Sequence, residues 1–97
     1  MSILSRIFSA IFGAILPREP VDVDALLTER ARGRENLDWR NSIVDLMKLL
    51  DLDSSLHARQ ELAQELGYPG ETDGGSAAMN QWLHREVLAK VRRRELG

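Results

Sequence analysis

The chain has 97 residues, of which 43% are hydrophobic and 29% charged, enough for one small core plus an extension. That balance excludes a disordered chain and a disulfide-built scaffold. A net charge of -2 argues against a protein that neutralises phosphates, so nucleic acid is not an expected partner. The absence of cysteine removes thiol catalysis, thiolate metal sites and disulfides.

The first predicted element is the segment ILSRIFSAIFGAIL, residues 3–16. Its apolar residues come in pairs every four positions: Ile3 and Leu4, Ile7 and Phe8, Ile11 and Phe12, Ile15 and Leu16. On a helix each such step runs about 40° past a full turn, so the stripe is a wide face that winds about 120° from the first pair to the last. The positions between are small, and Ser5, Ser9 and Gly13 carry the spacing that lets helices approach closely. The segment is shorter than the roughly 20 apolar residues of a membrane span, and Arg6 interrupts it. It has no small-x-small cleavage site before Pro17, so export is not expected. An in-plane anchor would show more than Arg6 and Arg18 on its polar side, yet burying Ile and Phe at about 1.5–3 kcal/mol each could offset that deficit. Packing on the chain's own domain, or on a second copy, competes with a membrane surface or a partner helix as the use of this face.

Pro17 and Pro20 end the first helix, which divides the chain into 1–17, a linker with a short helix over 18–35, and a helical domain over 36–97. In the linker, Asp22 can cap a helix from about Val23 to Arg32, which Gly33 would stop. The next helix is expected to begin after Asp38 as its N-cap and to carry Trp39, Ile43, Val44, Leu46, Met47, Leu49 and Leu50, making it the centre of the core. Asp53, Ser54 and Ser55 can cap a fourth helix that Gly67 ends. Gly70 to Gly75 is turn material, and Ser76 can cap a fifth helix running from about Ala77 towards Leu96. No alternating pattern supports a strand. The expected fold is all-α: three main helices, a short preceding helix and an amphipathic N-terminal one.

Candidate chemistry is sparse. His57 and His84 lie on different predicted helices with carboxylates near each, but no nucleophile, base and orienting group stand at recognisable spacing. Asp51, Asp53 and Ser55 alternate like calcium-loop ligands, but Leu56 and Leu62 stand where that loop needs glycine and glutamate. No metal, cofactor or catalytic residue is therefore expected. The run Arg92–Arg93–Arg94 suits the negative end of a helix without any partner. Trp39 and Trp82, each among aliphatic residues at helical spacing, are expected to anchor the core.

The stretches LDWRNSIVDL, DLDSSL, ELGY and MNQWLH, together with the short Ile/Phe-rich start, resemble the bacterial domain of unknown function family 3597 over more than half of the chain. The linker is shorter here than the alanine- and proline-rich one usual in that family. This resemblance implies an architecture and assigns no activity. A second likeness joins Leu56, Gln60, Leu66, Gly67 and Tyr68, then Gly70, Asp73 and Gly74, which are similar to the first helix and turn of the three-helix peptidoglycan-binding domain. It would make Tyr68, Gly70 and Asp73 a ligand turn at the cell wall. Arg59 departs from that pattern, and the segment after Gly74 is shorter than the pattern's.

Taken together, the residues predict a non-enzymatic helical module, cytoplasmic or peripheral at the inner membrane. It would attach through Ile3, Leu4, Ile7, Phe8, Ile11, Phe12, Ile15 and Leu16 to a membrane surface or a partner protein.

Overall fold

The computed structural model describes residues 2–13 and 21–94, and these form five α-helices with no strand among them. Helix α1 (Ile3–Phe12) starts at Ser2, whose hydroxyl accepts the Ser5 N–H, and closes at Gly13, whose positive φ of 78° suits glycine. Ile15 and Leu16 lie outside the described residues. Helix α2 (Val23–Arg30) begins at Asp22 as the sequence predicts, its carboxylate accepting the Ala25 N–H at 3.0 Å. It ends two residues earlier than expected. Turn hydrogen bonds over Ala31 to Arg34 replace the helical ladder before Gly33 reaches its left-handed conformation.

The start of the third helix also corrects the sequence reading. Asp38 opens only a single turn, its carbonyl accepting the Asn41 and Ser42 N–H groups, and Ser42 is then extended. Helix α3 (Ile43–Leu49) begins there, with the Ser42 hydroxyl accepting the Asp45 N–H while the Asp45 carboxylate accepts the Asp38 N–H at 2.8 Å. Ser42 thus caps α3 while Asp45 reaches back past it to Asp38, so the two bonds satisfy one donor in the helix and one in the preceding turn. Trp39 thus sits in the turn before α3, not on the helix.

The C-terminus of α3 closes with the Leu52 N–H on the Met47 carbonyl, which places Asp51 at φ 58°. Arg34 donates to the Leu49 and Lys48 carbonyls and Arg30 to the Leu49 carbonyl, so two guanidiniums lie at the negative end of α3. Helix α4 (Leu56–Leu66) runs from Ser55 to Gly67, where the Tyr68 N–H returns to the Ala63 carbonyl. Helix α5 (Ala77–Arg93) is capped by Ser76.

The closest helix packing sets α1 on α4, α4 on α5 and α3 on α5. All five helices share one core. Ile3, Leu4, Ile7 and Phe8 belong to the same buried cluster as Leu46, Met47, Leu62, Met79, Leu83 and Val87, with Val23 and Leu27 supplied by α2. Residues from each of the three expected segments therefore meet in a single cluster.

Candidate functional site

The apolar face of α1 is divided by its packing on α4. Its first two turns are taken up by the chain's own core, where Ile7 is fully buried and Phe8 nearly so. A carboxylate on α4 fixes this docking: Glu65 accepts the Ile3 N–H at 2.9 Å and the Leu4 N–H at 3.0 Å. Those are two of the four donors a helix start leaves unpaired, and the charge sits at the positive end of the α1 dipole. Ile11 and Phe12, one turn further on, are only half-buried. Of the eight residues expected to meet lipid or a partner, four face inward, two lie at the surface margin, and two fall outside the described residues.

At this margin α1 and α2 leave an apolar notch of about 260 Å³, lined by Ile11, Leu26, Leu27, Glu29 and Arg30. Its floor is Leu27, which is fully buried, and its lip is Leu26, which is 41% exposed. Adjacent residues on a helix diverge by about 100°, and on α2, where only Val23 and Leu27 are buried, that turn leaves Leu26 at the surface. That leucine pair on an otherwise polar helix is the one sequence signal that could have located the notch. The notch is somewhat smaller than the roughly 300–1,000 Å³ of small-molecule sites, and its size suits one or two large aliphatic side chains. Glu29, paired with Arg32 at 3.0 Å, and Arg30 give it a polar rim of both signs.

The two histidines do not converge on a site. His57 is exposed and pairs with Glu61 at 2.7 Å along α4. His84 is buried, with its Nε2 2.7 Å from the Trp39 carbonyl. That contact makes Nε2 the donor and ties α5 to the turn before α3. Among the described residues no three His, Asp or Glu side chains gather as a metal site. Trp39 is buried as expected, with the Arg40 guanidinium 4.3 Å above its ring. Trp82 is half-buried under Tyr68, their ring centres 5.1 Å apart.

The turn compared with a wall-binding site is engaged internally. Tyr68 leans over Gly70, where a β-carbon would lie 2.8 Å from its ring, and Gln60 donates to the Thr72 and Asp73 carbonyls. Gly70 and Asp73 are exposed, and Tyr68 is half-buried against Trp82.

Sequence reasoning missed one polar cluster altogether. The Asp24 carboxylate on α2 receives Arg92 of α5 through bonds of 3.0, 3.1 and 3.2 Å, and Arg40 approaches it at 3.9 Å. Arg40 also donates to the Thr28 hydroxyl at 2.9 Å. Arg92 therefore has a specific partner 68 residues away, beyond its favourable place at a helix end.

A five-helix fold around one shared core, with an apolar notch at its surface, defines a small all-α domain. The chain belongs to the family described as Domain of unknown function (DUF3597), whose model matches residues 7–95 and so takes in much of α1. No curated protein matches it. It is similar to the solution structure of a conserved unknown protein from Rhodopseudomonas palustris, with 42% identity, 93% of this chain and 89% of that chain covered, and a TM-score of 0.66. No helix among the described residues is long and apolar enough to cross a membrane.

Proposed function

We propose that the chain is a non-enzymatic helical interaction module that takes an apolar side chain of a partner protein into the notch between α1 and α2. The observation that carries this reading is the notch itself: an aliphatic floor beside an exposed leucine, with a rim of mixed charge. Contacts of this shape accept a large side chain at the centre and leave polar groups around it. A membrane surface has less support. For α1 to lie in lipid, Ile3, Leu4, Ile7 and Phe8 would have to leave the core, and the gain in lipid would at best replace their own burial while the side of α4 they cover became exposed to water. They would also abandon the Glu65 carboxylate that accepts the Ile3 and Leu4 N–H groups.

The test uses the full chain with a photo-crosslinking residue at position 26, expressed in cells, and a control with the same residue at the exposed position 64 of α4. Irradiation is expected to give an adduct of discrete mass from position 26 alone. Equal labelling from both positions, or none from either, overturns the reading. Co-sedimentation of the full chain with anionic vesicles would favour lipid instead.

A further inference from the structure

We infer that α2 is a detachable wall of the notch, moored by ionic ties centred on Asp24, so that ionic strength governs whether the notch exists. The inference rests on the notch being the contact site, and it concerns the regulation of that site.

Helix α2 differs from the other four in what holds it. Of its eight residues only Val23 and Leu27 are buried, and α2 takes part in none of the three closest helix pairings. Beside those two apolar anchors its moorings are polar and reach three separate elements. Asp24 holds Arg92 on α5 in a forked contact. Asp24 and Thr28 together hold Arg40, in the turn before α3. Arg30 donates to the Leu49 carbonyl at the end of α3. The side chains of Asp24, Arg92 and Arg40 are 42%, 51% and 56% exposed, so mobile ions reach and screen them. An element with few buried apolar contacts and solvent-exposed ties belongs to the low-stability end of a fold, where local opening occurs without global unfolding.

The consequence for the site is direct. Leu26, Leu27, Glu29 and Arg30 are four of the five residues lining the notch, and all four travel with α2. Ile11 alone cannot form a concave site. Binding in the notch is therefore coupled to the Asp24 ties: whatever loosens them removes the site, and an occupant of the notch tightens them in return.

The test is native-state amide hydrogen exchange on the full chain, comparing Leu27 to Ala31 of α2 and its cap with Leu62 to Leu66 of α4. Between roughly 50 mM and 1 M NaCl, exchange in α2 is expected to accelerate about tenfold relative to α4. In Asp24→Asn, α2 is expected to exchange fast already at low salt and to lose most of its salt dependence. Arg40→Gln, which leaves α2 itself untouched, is expected to fall between the two. The inference is overturned if α2 and α4 respond to salt in parallel, or if Asp24→Asn keeps the wild-type salt response. Neither readout involves a partner, so the mooring can fail while crosslinking from position 26 succeeds, and the reverse.

Discussion

Single side chains in this protein do work that their sequence neighbourhood does not reveal. Asp53 is one exception, because its partner is two residues away: its carboxylate accepts the Ser55 N–H at 2.9 Å just before α4. This bond, with the Ser55 hydroxyl and, more weakly, His57, holds the Asp53 carboxyl below the ordinary aspartate range. Because the acidity is greater folded than unfolded, the contribution is present above the unfolded value, about 3.9, and is lost as pH falls through the folded one. Urea unfolding of wild type and Asp53→Ala should therefore differ by a constant amount at neutral pH and converge below about pH 4. Glu35 behaves in the same sense, held low by its own N–H and that of Gly33. By contrast, the partner of His84 is a carbonyl 45 residues away, and the partners of Glu65 are N–H groups more than 60 residues away. Residue type identifies these as polar groups needing partners. Only the fold supplies which ones.

At the scale of elements, helix starts follow local chemistry closely. Asp22, Ser55 and Ser76 each accept a backbone N–H three residues on, at the positions their sequence context indicates. The start of α3 escaped because two capping residues compete four positions apart, and a third, Asp45, decides between them by bonding backward. The amphipathic face of α1 was plain, but its occupant was not, since one stripe of Ile and Phe is equally suited to lipid, a partner or the chain's own α4. Docking on α4 makes two specific demands. Ile7→Ala is expected to cost about 2–5 kcal/mol and Glu65→Ala about 0.5–2 kcal/mol in urea unfolding, the first through a cavity and the second through the lost cap. If α1 stood free of the domain, neither substitution would move the midpoint.

For the whole molecule, the meeting of all five helices in one cluster means that α1 is part of the fold's stability. A chain lacking residues 1–13 uncovers the side of α4 on which α1 packs and loses four buried side chains. Its thermal midpoint is expected to fall by at least on the order of 10–20 °C and by more than that of Ile7→Ala, since about 1 kcal/mol corresponds to roughly 4–8 °C in a domain this small. Equal midpoints for the two chains would place α1 outside the cooperative unit.

The sequence by itself determined the all-α class, the helix count and order, the stop of α4 at Gly67, and most of the buried positions of α3. These follow from periodicity and capping, which act within a few residues. It also carried the family, through LDWRNSIVDL and MNQWLH. Only the tertiary structure decided that the inner face of ILSRIFSAIFGAIL closes on α4, that Glu65 caps it, that Asp24 gathers Arg92 and Arg40, and that Ile11 and Leu26 are left beside a notch. The physical reason is that an apolar face specifies burial without specifying against what, and a charge specifies a partner without specifying where along the chain it lies. Both are answered only when distant segments are brought into contact.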